Sequence, residues 1–532
     1  MKRNWMKATA LCMTAAVFCC GLSGCKKTEK AAGSGEITYA ADGKIYPMQC
    51  EDTLSLWIDM GASDNGQSGM EATPFGKAWM EQTGVNVEFM HPTAGSTEQL
   101  SLTIASGDLP DIMIANIAQE PGGVTKYAKD GVIIDLTDNL EKFSPTYWGL
   151  LKSREDIDKM SKSDDGKYYG YNMILNEKEL RSTCGFIVRK DILDQAGLPV
   201  PETIDEWTAA LRAYKANDAT APLSYDIGFW EQYGGMFTGA YGTKMDFYLD
   251  DNGKVRYGFL DAGMKDVFAL FADWYKEGLL DQDIAKIADE DARVTNSNTC
   301  AYAAWASSIA KFTNAMKGKN PNVELVAAKF PVLQKGETSK FGIQTAMVPK
   351  AGAGYITTSC KNVELAMRFL DYGYTEAGHM LMNFGEEGES YTMVDGKPKY
   401  TEIITNNPEG LSMSQVMGRY LRGNTSGPFV QDLGYLQQYY PLPQQQDAVK
   451  TWSECGAEDR AIPNISMTED ESTEVSSIMN PITTYTSESL YKFIMGVEPM
   501  SNYEAFVEKI KSMNIDRAIE IYQAAVDRYN KR

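Results

Sequence analysis

Histidine is almost absent from this chain of 532 residues, which contains only His91 and His379. A triad of serine, histidine and aspartate, or a metal site based on histidine, would have to be built from one of them. His91 precedes Pro92, and His379 lies in a stretch with helical character. We therefore expect both side chains to be structural, and we expect no metal and no cofactor.

Cysteines that could form a disulfide, metal or redox site are also few. Of the nine cysteines, Cys12, Cys19 and Cys20 lie in an N-terminal apolar stretch and Cys25 closes it. The others are odd in number and widely scattered: Cys50, Cys184, Cys300, Cys360 and Cys455. No pair has the spacing of a metal knuckle or a redox motif, so we expect free and mostly buried thiols.

Basic residues are outnumbered, with 51 Lys and Arg against 72 Asp and Glu, for a net charge of -21. Removing an N-terminal leader that carries Lys2, Arg3 and Lys7 changes this to -21 - 3 = -24. Such an acidic surface repels phosphate backbones, so nucleic acid is not an expected partner. It also disfavours strongly anionic ligands unless a local basic pocket overrides it, which makes a neutral ligand the default.

Long apolar runs are missing except for one over 8–22, which is too short to cross a membrane. Basic residues precede this run and small residues follow it, which is typical of a secretory signal. Its end, Leu22-Ser23-Gly24-Cys25, resembles the bacterial lipobox, in which the cysteine receives a diacylglycerol. The alternative is an ordinary signal peptide with a chance cysteine.

The resemblance to a lipobox implies a signal peptide over 1–24 and a lipidated tether over 25–50. Residues 26–35 are polar and small and have no periodicity, as a flexible tether requires. We expect the mature protein to be held by a lipid anchor at Cys25 on the outer face of the cell membrane of a Gram-positive bacterium.

The rest of the chain favours an α/β class with two lobes, because roughly 500 residues exceed a single core. Short apolar segments over 54–58, 85–89 and 112–115 alternate with amphipathic helical stretches, which predicts a mostly parallel sheet covered by helices. A helix is predicted over 264–275, ended by Gly278.

Local signals mark helix starts and turns. Three Ser/Thr-x-x-Glu pairs predict capping boxes: Thr203 with Glu206, Thr468 with Glu471, and Ser501 with Glu504. Four dipeptides that tolerate positive φ predict hairpin turns: Asp42-Gly43, Asp165-Gly166, Asn252-Gly253 and Asp395-Gly396.

Several short motifs occur in an order and at separations that are specific together, although each is weak alone. They are Gly107-Asp108-Leu109-Pro110-Asp111-Ile112, Asp165-Gly166-Lys167-Tyr168-Tyr169-Gly170, Val188-Arg189-Lys190-Asp191, Gly197-Leu198-Pro199-Val200-Pro201, Asp205-Glu206-Trp207, Trp274-Tyr275-Lys276-Glu277-Gly278-Leu279, Asn383-Phe384-Gly385-Glu386-Glu387-Gly388, and Tyr522 with Asp527-Arg528-Tyr529. With them, the chain resembles the extracellular solute-binding lipoproteins of ABC importers, specifically the large carbohydrate-type members.

The resemblance implies a type II periplasmic-binding-protein-like fold, in which two lobes joined by hinge strands close on a ligand. We expect lobe 1 over 51–182 plus 340–385, and lobe 2 over 183–339 plus 386–532. The implied function is the capture of an oligosaccharide by a monomer that delivers it to the transmembrane subunits of an ABC permease.

One departure from the family concerns calcium. Alginate-binding relatives carry a calcium loop after the helix that corresponds to 207–215, but residues 216–222 of this chain contain a single carboxylate, Asp218. We therefore expect no calcium there, and we do not transfer specificity for polyuronates.

Candidate ligand-binding residues are aromatic side chains, which stack on sugar rings, and polar side chains, which bond sugar hydroxyls. The aromatic candidates lie in segments without a clean amphipathic period: Trp230, Tyr233, Trp305, Tyr391 and Trp452. The polar candidates follow predicted strands or lie in loops: Asp59, Asn116, Gln119, Arg181 and Glu387. A place in the core remains the alternative for each aromatic residue.

Two other functions stay open. A secreted glycoside hydrolase requires a pair of carboxylates across the scissile bond, and Glu386 and Glu387, as neighbours in sequence, usually point apart. We therefore do not expect an enzyme. A receptor of the same fold that binds peptides or another solute, or that serves a sensor kinase, is the second alternative.

Overall fold

The computed structural model describes residues 35–39, 43–60, 69–92, 96–286, 290–296 and 298–532. The predicted signal peptide over 1–24, the predicted lipidation at Cys25 and Asp42 lie outside the described residues. Gly35 to Arg532 form one compact unit. Among the described helices, none combines the length and the apolar character needed to cross a membrane.

Eleven strands are formed within the described residues. They are β1 Thr53–Ile58, β2 Asn86–Met90, β3 Ile112–Ala115, β4 Cys184–Arg189, β5 Phe247–Leu249, β6 Val255–Tyr257, β7 Ala301–Trp305, β8 Leu325–Ala328, β9 Ala353–Ile356, β10 Tyr391–Val394 and β11 Lys397–Tyr400. The predicted strands over 54–58, 85–89 and 112–115 correspond to β1, β2 and β3.

The first sheet has the order β2-β1-β3-β9. Leu54 of β1 pairs with Val87 of β2, and Leu56 pairs with Ile112 of β3, both in parallel. Strand β9 adds an antiparallel edge to β3. Because β1, β2 and β3 run in parallel, their carboxyl ends meet at one edge of the sheet, where ligands of α/β proteins bind.

The second sheet has the order β7-β4-β8 and differs from the mostly parallel sheet that we expected for each lobe. Strand β4 pairs antiparallel with both β7 and β8. Isolated parallel bridges join Leu223 to Ala301 and to Leu280. Strand β4 is buried at every position, because helices and strands cover both of its faces.

Helices cover the sheets. They are α1 Pro74–Thr83, α2 Ser96–Ser106, α3 Gly123–Lys129, α4 Leu140–Phe143, α5 Pro145–Ser153, α6 Glu155–Ser161, α7 Lys178–Arg181, α8 Lys190–Gln195, α9 Ile204–Ala216, α10 Ile227–Gly234, α11 Ala262–Glu277, α12 Glu290–Thr295, α13 Ser307–Lys317, α14 Val363–Asp371, α15 Glu376–Phe384, α16 Glu402–Thr405, α17 Met413–Tyr420, α18 Leu433–Tyr439, α19 Pro443–Ser453, α20 Glu469–Ile494, α21 Tyr503–Ser512 and α22 Ile515–Tyr529. Short 3-10 turns include Ile117–Gln119 and Met500–Asn502.

Most of the local signals are confirmed. Gly278 ends α11 in the left-handed conformation. The capping boxes that begin at Thr203 and Thr468 are formed at the starts of α9 and α20. The one predicted at Ser501 is wrong, because a 3-10 turn carries the chain into α21 and Asn502 takes the cap position without a side-chain bond.

The predicted turns have different outcomes. Asn252-Gly253 joins β5 to β6, and Asp395-Gly396 joins β10 to β11, so both are hairpin turns. Asp165-Gly166 forms a tight turn between Ser163 and Lys167 that joins no strand pair.

Three stretches, which we call the crossing segments, connect or lie between the two sheets: 171–175, 345–348 and 429–431. Leu175 N donates to Met347 O at 2.8 Å, and Ile174 N donates to Phe429 O at 3.0 Å. The first follows the first sheet and precedes β4, and the second leads from β8 back to β9. We therefore propose the crossing segments as the hinge strands that the resemblance implies.

The division into lobes differs from the expected one after residue 385. Helix α17 packs on α1, and β11 packs on α15, so residues beyond 385 remain with the elements of the first sheet. Helices α20 and α22 pack together, and α20 also packs on α11, on the side of the second sheet. We therefore keep the C-terminal helices α20 and α22 in lobe 2. The boundary expected at 385 moves further along the chain, because β11 and α17 stay with lobe 1.

The expected tether over 25–50 is shorter than predicted, because its second half packs on the folded body. Thr38 and Gln49 form a bridge, Met48 is buried, and the Tyr46 hydroxyl donates to Arg368 O at 2.6 Å.

Both histidines form hydrogen bonds within the folded body, and the described cysteines form no disulfide. His91 accepts a hydrogen bond from Met70 N at 3.0 Å, and His379 Nε2 lies 2.9 Å from a carboxylate oxygen of Asp432. The five described cysteines are free, and all except Cys50 are buried. Among the described residues, no three His, Cys, Asp or Glu side chains come together as possible metal ligands.

Candidate ligand-binding site

Four aromatic side chains form a surface that we call the aromatic patch: Phe229, Trp230, Tyr233 and Trp305. Three of them are about half exposed, with Phe229 at 48%, Tyr233 at 46% and Trp305 at 49%. Trp230 is buried beneath them at 5% and meets the Trp305 ring edge-on, with 5.3 Å between ring centroids. The predicted ligand-binding residue Trp230 therefore belongs to the core and supports the patch from below. Large apolar side chains that are exposed side by side typically mark a binding surface.

Helix α10 and strand β7 position the aromatic patch. The Asp226 side chain caps α10 by accepting from Phe229 N at 3.0 Å, and Gly235 ends the helix in the left-handed conformation. Phe229 and Tyr233 lie one turn apart on α10, so their rings stack at 5.7 Å. Trp305 is the last residue of β7, where the strand leaves the sheet.

The aromatic patch lies beside a crossing segment. Burial raises the pKa of the Tyr233 hydroxyl, whereas a hydrogen bond with the Thr345 side chain lowers it. The hydroxyl of Tyr233 is thus next to the segment 345–348, and the patch adjoins the region between the sheets.

A second feature is a cavity of about 610 Å³, which we call the central cavity. It is bounded by the loop after β3, the residues before and within the first crossing segment, the residues before β9, and the start of α20. Its lining includes Ala118, Gln119, Glu120, Ser161, Lys162, Tyr169, Asn172, Val348, Lys350, Tyr355, Asn464, Ser466, Met467, Ser472, Ser476, Tyr522 and Arg532. This volume lies within the usual range for small-molecule sites.

The end of β3 shapes one wall of the central cavity. Asn116, directly after the strand, accepts a hydrogen bond on its side-chain oxygen from Gly352 N at 2.8 Å. This bond ties the end of β3 to the start of β9. Gln119 follows in the 3-10 turn, is exposed and lines the cavity. Asn116 therefore has a positioning role, and Gln119 is available to a ligand.

Lys350 places a cation in the wall of the central cavity. Its ammonium donates to Ile465 O at 2.6 Å, and among the described residues it forms no ion pair. Burial lowers the pKa of Lys350 to about 8, as does the charge of Arg532, whereas Asp164 raises it. The side chain is charged at neutral pH.

A buried guanidinium lies at the carboxyl end of β1. Arg422 is 5% exposed, and its Nη2 donates to Asp59 O at 3.4 Å, a long and weak bond. Its Nη1 is buried and has no hydrogen-bond partner among the residues that the structure describes. Burial lowers the pKa of Arg422 to about 10, against the opposing charge of Asp59. The Asp59 side chain is exposed at this edge of the sheet.

The structure corrects the assignment of two aromatic candidates. Trp452 is fully buried in α19, where its Nε1 donates to Ala328 O at 3.1 Å and its ring lies against Gly185. Tyr391 is 6% exposed and packs against Phe384. Both side chains belong to the core, because the surrounding helices and strands cover their rings.

Two polar candidates are not part of either feature. Arg181 is 5% exposed, and its guanidinium forms an ion pair with Glu458. Glu387 is exposed in the turn before β10. Neither residue lines the central cavity.

Sequence reasoning missed Phe229, Lys350 and Arg422. The signal for Phe229 is its spacing, because it lies next to Trp230 and one helical turn before Tyr233. For Lys350 and Arg422 the sequence offers no signal, because only the folded chain shows the surroundings of each cation.

Two relatives match about three quarters of this chain at low sequence identity. The fructooligosaccharide ABC transporter substrate-binding protein FusA of Streptococcus pneumoniae serotype 4 is 23% identical over 73% of this chain and 72% of its own. Lipoprotein LipO of Bacillus subtilis is 24% identical over 76% of each chain.

Solved structures share its fold. A solute-binding protein from Bifidobacterium longum infantis, described as binding HMO and associated with an ABC transporter, superposes with a TM-score of 0.72 at 18% identity over 90% of this chain and 99% of its own. The alginate-binding protein AlgQ2 without calcium ion gives a TM-score of 0.67 at 22% identity over 89% and 98%. The type II fold expected from the resemblance is confirmed.

A family model gives the decisive match. The model described as bacterial extracellular solute-binding protein matches residues 65–380, which is more than half of the chain and includes the loop after β3, the aromatic patch and Lys350. The chain therefore belongs to the family of bacterial extracellular solute-binding proteins.

Proposed function

We propose that this protein captures an oligosaccharide outside the cell and delivers it, unmodified, to the transmembrane subunits of an ABC permease. The observation that carries the proposal is the aromatic patch beside a crossing segment, in which the half-exposed rings of Phe229 and Tyr233 stack and the half-exposed Trp305 is joined to them through the buried Trp230. A pyranose offers a face of C–H groups that stacks on such rings, and a rim of hydroxyls for polar partners.

The energetics of this surface suit a reversible carrier. A stacked ring that buries about 60 Å² contributes on the order of 1.5 kcal/mol at about 25 cal/mol per Å². Two stacked rings and several hydrogen bonds, less the cost of ordering the ligand, give an affinity in the micromolar range, or about 8 kcal/mol. Such a ligand is held firmly but is released on delivery.

The known relatives support this class of ligand. The names of FusA and of the Bifidobacterium protein refer to fructooligosaccharides and to HMO, and both proteins are linked by name to ABC transporters. The family is extracellular by its description. These names agree with a carbohydrate carrier and offer no support for a hydrolase.

The proposal includes the location of the protein. The lipobox-like Leu22-Ser23-Gly24-Cys25 supports cleavage before Cys25 and a lipid anchor there, on the outer face of the cell membrane. In this arrangement the carrier acts as a monomer, and the polar residues over 26–34 serve as the tether to the membrane.

A thermal-shift screen of the mature protein tests the function. Neutral and acidic oligosaccharides form one panel and peptides form the other, because a ligand that binds only the folded state raises the melting temperature by mass action. We expect shifts with some of the oligosaccharides and none with peptides. Shifts with peptides alone, or release of reducing ends from a bound oligosaccharide, would refute the proposal.

Trp305→Ala links that screen to the aromatic patch. Because the ring is half exposed, we expect the variant to lose the shift while its melt without ligand stays nearly the same. A large loss of stability without ligand would instead show that the indole supports the core.

A further inference from the structure

We propose that Lys350 binds a sugar carboxylate in the central cavity, so that the captured oligosaccharide carries at least one acidic unit. The proposal rests on the proposed function and deepens it, because it assigns a charge to the ligand. It also revises the expectation of a neutral ligand, which depended on the absence of a local basic pocket.

The ionisable groups of the central cavity favour an anion. Its lining contains three basic residues, Lys162, Lys350 and Arg532, and one acidic residue, Glu120. The Lys162 ammonium is paired with Asp158, and the Arg532 guanidinium is paired with Asp164. Lys350 is the lining cation that has no carboxylate partner among the described residues.

Asp164, the carboxylate whose charge raises the pKa of Lys350, is already engaged. Asp164 accepts from Arg528 at 2.9 Å and from Arg532 at 2.9 and 2.6 Å. Arg528 also bonds Glu471 at 2.6 Å. Asp164 and Glu471 are thus occupied by Arg528 and Arg532, and among the described residues no carboxylate forms an ion pair with the Lys350 ammonium.

The position of Lys350 gives it direct access to a ligand. The residue lies three positions before β9, in the stretch that leads out of the second crossing segment, and its ammonium uses one of three N–H groups on Ile465 O. The side chain is partly buried, and a charge that is withdrawn from water without a partner is destabilising, so its presence in a cavity of about 610 Å³ is explained by a ligand that supplies the partner.

The remaining lining suits the rest of a sugar ring. Gln119, Asn172, Ser472 and Ser476 offer amide and hydroxyl groups. Tyr169 and Tyr355 also line the cavity, but their rings are buried and form its floor. A carboxylate on Lys350 would thus be accompanied by partners for the hydroxyls of the same unit.

An array of short neutral and acidic oligosaccharides tests the proposal with the mature protein and three variants. Lys350→Met removes the charge, Lys350→Arg keeps it, and Lys162→Met is the matched control, because that lysine lines the same cavity but is paired with Asp158. Each bound oligosaccharide is then compared by calorimetry with its carboxyl-reduced analogue. Acetate alone is tested as a free anion.

We expect the bound oligosaccharides to be acidic, and carboxyl reduction to weaken binding at least ~30-fold, as for the loss of a charge-assisted bond. Lys350→Met should weaken binding of the acidic form by a similar factor and leave the reduced form unchanged. Lys350→Arg should retain most of the affinity, and Lys162→Met should change it less than ~3-fold.

Several results would overturn the proposal. Binding of neutral oligosaccharides alone, or equal affinity of Lys350→Met for both forms, would refute the role of Lys350 and leave the proposed function intact. Acetate that protects the protein as well as the oligosaccharide does would make the cavity a small-anion site. Binding of no oligosaccharide at all would refute the proposed function itself. A melt of Lys350→Met without ligand shows whether the variant is folded.

Discussion

The aromatic patch and the central cavity offer a ligand opposite kinds of chemistry. The patch presents half-exposed apolar rings that need no charged partner, and it is fixed by short-range packing on α10 and β7. The cavity holds the partly buried ammonium of Lys350 among polar groups and is assembled from distant parts of the chain. Under the two proposals, stacking affinity comes from the patch and charge selectivity from the cavity, so we expect that each can be removed without the other.

The largest expected effect is a loss of stability on removal of the buried indole of Trp452, in contrast to the half-exposed indole of Trp305. Trp452→Ala should lower the free energy of unfolding by about 3–5 kcal/mol, because it leaves a cavity beside β4 and β8. Thermal melts measure the loss, and calorimetry at a temperature where the variant is folded should show unchanged affinity. A stable variant with impaired binding would instead place Trp452 in the ligand site.

Removal of two exposed rings should affect binding alone. The double variant Trp305→Ala with Tyr233→Ala should weaken binding of acidic and neutral oligosaccharides equally, by about 3 kcal/mol at about 1.5 kcal/mol per ring. Calorimetry measures the loss, and the melt without ligand serves as control. Selective loss for acidic ligands would contradict the separation of the two regions.

The charge of Lys350 should appear in the pH dependence of stability. Its pKa is about 8 in the folded state and near the ordinary lysine value of 10.5 in the unfolded state, so the unfolded chain binds more protons between these values. The free energy of unfolding should therefore rise with pH, by about 2 kcal/mol more in the wild type than in Lys350→Met between about pH 7.5 and about pH 9.5. The groups that act on Lys350 are Arg532 and Asp164.

Melts of the wild type and of Lys350→Met across this pH range measure the difference in the free energy of unfolding. The other lysines and the tyrosines titrate in both proteins, so their contributions cancel in this difference. Parallel curves for the two proteins would show that Lys350 is solvated, and would remove the reason to assign it a ligand.

The smallest effects are expected for two residues after β3, of which Asn116 positions the backbone and Gln119 contacts the ligand. Asn116→Ala removes the acceptor for Gly352 N, so we expect a loss of stability of about 1 kcal/mol and little direct loss of affinity. Gln119→Ala should leave stability unchanged, because the residue is exposed, and weaken binding ~3-fold. The reverse pattern would exchange the roles of the two residues.

Much of the fold could be predicted from the sequence where local chemistry decides it. The strands β1, β2 and β3, the helix α11 with its stop at Gly278, and the caps at Thr203 and Thr468 depend on short-range patterns. Ser501 shows the limit, because a 3-10 turn shifts the cap by one residue. The antiparallel pairing of β4 depends on long-range order that apolar runs do not encode.

The candidate site was less accessible to prediction. The lack of a clean amphipathic period selected both Trp305, whose ring is half exposed, and Trp452, which lies on the buried face of α19, so this pattern alone does not separate the two environments. The surroundings of Lys350 include Asp164 and Arg532, which lie far away in sequence, so only the folded chain shows that Lys350 has no ion pair within its described part.

A crystal structure of the protein with an oligosaccharide from the array tests the central claim most directly. The account predicts a sugar ring stacked on Trp305 and, at another unit of the same chain, a carboxylate within hydrogen-bond distance of Lys350 Nζ. An oligosaccharide bound away from both the aromatic patch and the central cavity would contradict it.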